Sequence, residues 1–227
     1  MFTLSRRKVL TGVTALAVLG GRAQAQQDDP PFDTPERTFD PALLPPPQSE
    51  TDFPIEPIDL GEIPARYRRQ EVNYDGPEEA GSIVVDPGNR HLYHITAPGQ
   101  AVRYGIGVGR AGFGWSGQAQ VGMKRRWPRW LPPPEMVARD KNAQKWANGM
   151  PGGPENPLGA RALYLYAKTL YANYSDTGYR IHGTNDPSSI GKAMSSGCIR
   201  MLNQDVAELF DEVRVGTRVM VRPAAAG

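Results

Sequence analysis

The chain has 227 residues, of which 39 % are hydrophobic and 22 % charged, with a formal net charge of +2 and one cysteine. The apolar fraction is sufficient for one domain core of ordinary size, which excludes a wholly disordered chain. A single cysteine cannot form an intramolecular disulfide framework or a cysteine-rich zinc site. No long basic run is present, which argues against a dedicated nucleic-acid-binding protein, because phosphate contacts require concentrated lysine and arginine.

The first 25 residues have the three-part pattern of an export signal. Ser5-Arg6-Arg7-Lys8 supplies the charged start, residues 9–19 form a short apolar stretch, and Ala23-Gln24-Ala25 is a small-residue cleavage site. The apolar stretch is shorter than the roughly 20 residues that a membrane-spanning helix needs. We therefore predict that residues 1–25 are removed and leave no membrane anchor. The paired arginines resemble a twin-arginine (Tat) signal, with the general (Sec) route as the alternative.

Residues 26–66 differ in composition from the rest of the chain. Ten of the 22 prolines lie between residues 26 and 64, including Pro45-Pro46-Pro47, and acidic residues separate them. Proline fixes φ and removes a backbone donor, so this stretch is predicted to be an extended or disordered linker. A folded domain is then expected at residues 67–223, followed by a short tail at 224–227.

The remainder consists of short apolar segments separated by turn residues. Asp86-Pro87-Gly88-Asn89 and Ala97-Pro98-Gly99-Gln100 place proline and glycine at the two central positions of type II turns. The predicted strands are residues 82–86, 91–96, 101–108, 117–123, 162–166, 179–182 and 218–222.

One helix is predicted near the end of the chain. Asn203 can cap it, and an apolar stripe follows at the spacing of a helix, formed by Val206, Leu209, Phe210 and Val213. Residues 135–147 are a candidate for a second helix. Together these elements predict a mainly β fold, a β-sandwich or barrel-like structure of mixed sheets with one or two short helices.

The chemically informative segments are Ile181-His182-Gly183-Thr184 and Ser195-Ser196-Gly197-Cys198-Ile199-Arg200. A thiol is a good nucleophile only as the thiolate, and a nearby imidazole can accept its proton. Gly197 would allow a sharp backbone turn that presents main-chain N–H groups near Cys198 as an oxyanion hole. Arg200 is placed to bind a carboxylate, with a structural salt bridge as the alternative.

A free cysteine is often a small buried hydrophobe rather than a nucleophile. In an exported chain, however, an unpaired thiol is a liability unless it has a function, and the residues around Cys198 would form a poor apolar core. His91 and His94 are three residues apart on a predicted strand, so they point to opposite faces and make a poor metal pair.

At these residues the chain resembles the exported bacterial L,D-transpeptidases with a YkuD-type catalytic domain. Many members have a second histidine where this chain has Ser196, so no role of that histidine transfers to this sequence. The resemblance also includes Ile83-Val84-Val85-Asp86, Gly107-Val108-Gly109, Trp127-Pro128-Arg129-Trp130, residues 151–159 and residues 161–165.

The resemblance implies a YkuD-type β-sandwich and a two-step acyl transfer on peptidoglycan stem peptides, without a metal or cofactor. Cys198 would be the nucleophile and His182 the general base and acid, with the carbonyl of Gly183 orienting the imidazole. Gly197 and Cys198 would supply oxyanion N–H groups. The residues expected to contact substrate are Arg200, Ser195, Ser196, Trp127 and Trp130.

The same resemblance implies action in the periplasm or cell envelope. The acceptor is left open between a stem-peptide amine, an envelope-protein lysine and a free D-amino acid. Two other functions remain at this point: a cysteine hydrolase of the same fold, in which water resolves the thioester, and a non-catalytic wall-binding module.

Overall fold

The computed structural model describes residues 52–110, 115–168, 173–195 and 197–223, which belong to one compact unit. The predicted export signal, most of the predicted linker, Ser196 and the tail at 224–227 lie outside the described residues. Among the helices of the described residues, none combines the length and apolar character needed to cross a bilayer.

The described residues form a mainly β structure with three short α-helices, which confirms the predicted fold class and adds one helix to it. The helices are α1 (Pro134–Arg139), α2 (Lys141–Lys145) and α3 (Asn203–Glu212). The strands are β1 (Gln70–Asn73), β2 (Ile83–Asp86), β3 (His91–Ala97), β4 (Gln100–Gly105), β5 (Val108–Gly109), β6 (Gly117–Arg126), β7 (Arg161–Ala167), β8 (Ser175–His182), β9 (Ala193–Ser195), β10 (Ile199–Arg200) and β11 (Arg218–Val221).

Nine strands form one mixed sheet in the order β1-β4-β3-β2-β11-β6-β7-β8-β10, and β5 pairs with β9 in parallel. Arg200, in the last strand of that order, exchanges two backbone hydrogen bonds with Gly107, with N···O distances of 2.9 and 2.8 Å. Gly107 follows β4 by two residues, and β4 is second in the order. This bridge therefore connects β10, at one end of the sheet, to the segment that follows β4 near the other end.

The two predicted turns differ. Ala97 pairs with Gln100, and Gly99 between them has a φ of 76°, which agrees with the predicted type II turn. The turn after β2 is not type II, because Gly88 does not have the positive φ that this turn requires; the positive φ lies at Arg90 instead. The Asp86 side chain accepts a hydrogen bond from Asn89 N–H (3.0 Å) and stabilises this alternative.

The alternation along β2 shows how the sheet is buried. Ile83 and Val85 belong to the main core, whereas Val84 belongs to a second cluster on the opposite face. Because both faces are covered here, the strand has three consecutive apolar residues instead of an alternating pattern. Helix α3 packs into the main core through Val206 and Leu209, so the helix forms a second layer on one face of the sheet.

The helices correct two expectations. Asp140 interrupts the predicted helix at 135–147 and caps the second half with its side chain, which accepts from Asn142 N–H at 2.8 Å. Asn203 is the first residue of α3 and not its cap; the capping position is Leu202, which has no side chain able to cap. The Asn203 side chain instead binds the backbone of two other segments, as described below.

The described end of the predicted linker packs against the domain. Ile63 is only 3 % exposed and lies in a cluster with Tyr67, Ile190 and Leu202. Asp52 forms ion pairs with Arg126 and Arg161. Residues 52–66 are therefore not a free spacer, because apolar and charged side chains among them pack against or pair with residues of the folded domain.

We expect Ile63→Ala to lower the free energy of unfolding by about 2–4 kcal/mol, because it removes a buried aliphatic side chain and leaves a cavity. Urea denaturation of the chain from residue 26 onward would measure this change. Leu60→Ala is the matched control, since Leu60 is 40 % exposed. Equal and small effects of both substitutions would show that residues 52–66 do not stabilise the domain.

Candidate active site

Strand pairing brings together the two segments that the sequence singled out. β10 runs parallel to β8, with Ile199 beside Ile181 and Arg200 beside His182. Met201 N–H continues this pairing with a 2.8 Å hydrogen bond to the His182 carbonyl. Cys198 directly precedes β10, so it lies next to the last residues of β8 although 16 positions separate it from His182.

Cys198, His182 and Arg200 line one cavity of about 640 Å³. Its walls combine apolar residues with five arginines and one aspartate, so the lining is strongly positive. The other lining residues are Arg110, Arg129, Trp130, Leu131, Pro133, Met136, Arg139, Asp140, Pro157, Leu158, Tyr164, Gly178, Arg180 and Met194.

His182 is 3 % exposed, and its Nδ1 lies 2.6 Å from the carbonyl oxygen of Gly183. A carbonyl only accepts hydrogen bonds, so this contact requires the proton on Nδ1 and leaves Nε2 of the neutral ring as an acceptor. Burial lowers the pKa of His182 to about 4, and the charges of Arg200 and Arg180 act in the same direction. The imidazole is therefore neutral at pH 7 and able to accept a proton.

Burial also raises the pKa of the Cys198 thiol, while the positive charges of Arg180 and Arg200 oppose this effect. The cavity thus holds a neutral thiol and a neutral imidazole in the resting state. For a neutral thiol to act as a nucleophile, its proton would have to pass to a base during the attack, as in general-base catalysis.

Arg200 has the features of an anion-binding group. Within the described part of the chain, its Nε is buried and has no hydrogen-bond partner. A buried unpaired donor of a guanidinium is costly unless an acceptor fills the site. An incoming carboxylate is such an acceptor, and its planar geometry matches the guanidinium fork.

Sequence reasoning missed Arg180. It is two residues before His182 on β8, so both side chains lie on one face of the strand and both line the cavity. Asp176 holds its guanidinium through two hydrogen bonds of 3.1 and 2.8 Å, and the Tyr164 ring lies 4.8 Å from it. The period-two spacing of Gly178, Arg180 and His182 was a signal that could have identified it.

Of the remaining residues predicted for the site, some line the cavity and others do not. Trp130 lines the cavity, whereas Trp127 is 5 % exposed, does not line it, and donates its indole N–H to the Phe53 carbonyl at 2.9 Å. The expectation that Trp127 contacts substrate is therefore corrected, because its polar edge is satisfied inside the protein. Gly197 has a φ of 124°, a conformation that favours glycine and agrees with the predicted sharp turn. Ser195 is the last residue of β9.

The other two histidines lie outside the cavity. His91 contacts the Arg66 carbonyl through Nε2 at 2.9 Å, and His94, in the middle of β3, is buried. Among the described residues, no group of three or more His, Cys, Asp or Glu side chains is arranged to hold a metal ion.

A cysteine, a neutral histidine with an oriented Nδ1–H and a free arginine donor in one cavity are the components of a thiol acyltransferase site. A family model described as the L,D-transpeptidase catalytic domain, YkuD, matches residues 80–221. The chain therefore belongs to the YkuD family of L,D-transpeptidase catalytic domains, as the sequence motifs indicated.

Individual relatives agree with this membership. "Probable L,D-transpeptidase ErfK/SrfK" of Escherichia coli is 37 % identical over 146 residues, which cover 61 % of this chain and 43 % of that protein. The match thus spans less than half the length of this curated relative.

Two solved structures are also similar. One, from Brucella melitensis and named "Probable carnitine operon oxidoreductase caia", is 44 % identical, with a TM-score of 0.47 and coverage of 70 % of this chain and 96 % of that one. An Enterococcus faecium L,D-transpeptidase is 19 % identical, with a TM-score of 0.47 and coverage of 64 % and 50 %.

The raised pKa of Cys198 predicts how its alkylation depends on pH. Because burial disfavours the thiolate, the midpoint of the iodoacetamide rate should lie at higher pH in the folded protein than in the urea-unfolded chain. Mass spectrometry reports this residue alone, since the chain has one cysteine. A folded-state midpoint below the unfolded one would indicate a thiolate–imidazolium pair and contradict the neutral resting state.

Proposed function

We propose that this protein is a peptidoglycan L,D-transpeptidase. The observation that carries the proposal is that Cys198, His182 and Arg200 line one cavity in a chain that belongs to this catalytic-domain family. The substrate is a stem tetrapeptide whose third residue, diaminopimelate, is joined to a terminal D-alanine. The reaction transfers the acyl group of the third residue from D-alanine to an acceptor amine.

In the first half-reaction Cys198 attacks the carbonyl carbon at the L-centre of the third residue, and Nε2 of His182 takes the thiol proton. The N–H groups of Gly197 and Cys198 stabilise the oxyanion. As the tetrahedral intermediate collapses, the imidazolium returns its proton to the departing nitrogen, and D-alanine leaves. The products of this step are a thioester on Cys198 and neutral His182.

In the second half-reaction an amine attacks the thioester, and His182 accepts the proton that the amine loses. The Cys198 sulfur leaves and is protonated again by the imidazolium, which restores the resting pair. An amine of a second stem gives a 3→3 cross-link, and a lysine of an envelope protein gives a protein attachment. All bonds and protons balance without a metal or cofactor.

The charge of the cavity supports a stem peptide as substrate. The lining contains five arginines and only one aspartate, so it is suited to a negatively charged ligand. The stem peptide carries several carboxylates. Asp176 already pairs with Arg180, whereas the buried Nε of Arg200 has no partner among the described residues. Arg200 is therefore the residue that we propose binds a substrate carboxylate, with Trp130 lining the same cavity.

The proposed location is the periplasm or cell envelope, where peptidoglycan is exposed. The charged start, apolar stretch and cleavage site within residues 1–25 support export, through the Tat or the Sec route. After cleavage, the remaining chain has 22 basic and 24 acidic residues, so the excess of positive charge belongs to the signal.

We expect the chain from residue 26 onward to convert a purified disaccharide-tetrapeptide into a dimer that has lost one D-alanine, detected by mass spectrometry. Cys198→Ala should form no dimer, because the thioester cannot form. Tripeptide without dimer would identify a hydrolase, in which water reaches the thioester. Unchanged tetrapeptide with the folded wild-type protein would refute the transpeptidase proposal.

Arg200→Gln should raise KM for the tetrapeptide by about 10- to 100-fold, because a charge-assisted hydrogen bond to the substrate contributes about 1.5–3 kcal/mol. Arg200→Lys should have an intermediate effect, since it keeps the charge and loses the planar fork. Steady-state kinetics of D-alanine release would measure both.

Arg218→Gln is the matched control for this prediction. Arg218 pairs with Glu79 on the protein surface and does not line the cavity. An unchanged KM in Arg200→Gln, together with a lower melting temperature, would assign Arg200 a structural role instead.

A further inference from the structure

The peptide group between Gly183 and Thr184 is hydrogen-bonded on both sides. Its carbonyl oxygen accepts from Nδ1 of His182 at 2.6 Å, and its N–H donates to Oδ1 of Asn203 at 3.1 Å. A peptide group is planar, so its C=O and N–H rotate together. Any change in the hydrogen bond to Asn203 therefore changes the direction in which the Gly183 carbonyl faces the imidazole.

Asn203 Oδ1 makes a second contact, accepting from Ala160 N–H at 3.0 Å. An amide oxygen has two lone pairs, and here backbone donors occupy both of them. Ala160 and Thr184 are both buried, so losing this acceptor would leave two buried N–H groups without it. The oxygen is thus fixed between the start of β7 and the end of the His182 segment.

The glycines around this oxygen support the same geometry. A Cβ atom at Gly159 or at Gly183 would overlap the Asn203 oxygen. Gly183 therefore has two roles. Its carbonyl orients His182, and the absence of a side chain leaves space for the Asn203 oxygen. Asn203 is outside the lining of the cavity, so it does not reach a substrate there.

We propose that Asn203 is a positioning residue for His182 that acts through the Gly183–Thr184 peptide. By fixing the Gly183 carbonyl, it keeps the imidazole proton on Nδ1, so that Nε2 of the neutral ring is the nitrogen that accepts the Cys198 proton. Its kinetic consequence rests on the proposed transpeptidase function, whereas its effect on the imidazole does not. The Gly183 carbonyl thus has the part that a carboxylate takes in a Ser-His-Asp triad, and Asn203 holds that carbonyl in place through the Gly183–Thr184 peptide.

The direct test is the ¹⁵N chemical shifts of the His182 imidazole, which distinguish the two neutral forms. Wild type should show the Nδ1–H form, and Asn203→Ala should shift population to Nε2–H. Asn203→Asp should keep the wild-type form, because a carboxylate oxygen also accepts from both N–H groups. The chain has three histidines, so His182→Gln identifies the signal.

The kinetic readout separates positioning from a general structural role. Asn203→Ala should lower kcat for dimer formation by about 10- to 100-fold with a smaller change in KM, as is usual when a group that orients a functional residue is removed. Asn203→Asp should recover most of this loss. Gln204→Ala, one residue further along the first turn of α3, is the matched control and should leave kcat and the imidazole shifts unchanged.

Circular dichroism and the melting temperature decide which variants are folded. If Asn203→Ala does not fold, Asn203→Ser takes its place, since its hydroxyl is too short to reach both donors. A folded Ala or Ser variant with wild-type imidazole shifts overturns the proposal, as does a folded Asp variant that loses the Nδ1–H form. If wild type forms no dimer, the transpeptidase function fails while the imidazole shifts still test Asn203.

Discussion

Two residues of β10 pair in parallel with the end of β8, and this pairing decides which side chains share the cavity. It places Arg200 beside His182 and leaves Cys198 one step before the strand. A shift of one residue would turn Arg200 to the opposite face of the sheet. The two hydrogen bonds between Arg200 and Gly107 fix the other edge of β10, so the register is determined from both sides.

The electrostatics of the site follow from that placement. Burial disfavours charge on both reacting groups, while Arg180 and Arg200 favour thiolate and disfavour imidazolium. In the proposed acyl transfer, charge would therefore develop on this pair mainly during the reaction, when an oxyanion and a substrate carboxylate are also present to balance it. A neutral resting thiol is also less prone to oxidation than a thiolate.

The sequence predicted the parts of the fold whose signals are local. Apolar segments rich in β-branched residues marked most strands, and Pro98-Gly99 marked a two-residue turn. The pair Cys198 and His182 was also accessible, because a recognisable motif surrounds each residue. Features that depend on contacts between distant segments could not be predicted in this way. Arg180 belongs to the site because β10 places Cys198 next to β8, and Trp127 is buried because Phe53 packs against it.

Asn203 shows the same limit most clearly. An asparagine before an apolar helical stripe predicts a local cap, and only the fold reveals that Ala160 and Thr184 are its partners. The Asn203 side chain makes these long-range hydrogen bonds instead of capping its own helix, and α3 begins after Leu202 without a side-chain cap. Such a cap typically contributes about 0.5–2 kcal/mol, which the start of this helix does not gain from a side chain.

Tertiary contacts at the two ends of α3 replace the missing cap. At its start, Met201 and Leu202 are fully buried directly after β10, so no flexible linker separates the strand from the helix. At its end, Lys124 donates to the Val213 carbonyl at 2.6 Å, where a cation also interacts favourably with the helix dipole. The position of the Asn203 oxygen is thereby fixed by the core of the protein. The packing of α3 on the sheet thus also fixes the orientation of His182, although Gly183 and Thr184, through which Asn203 acts, belong to no helix or strand.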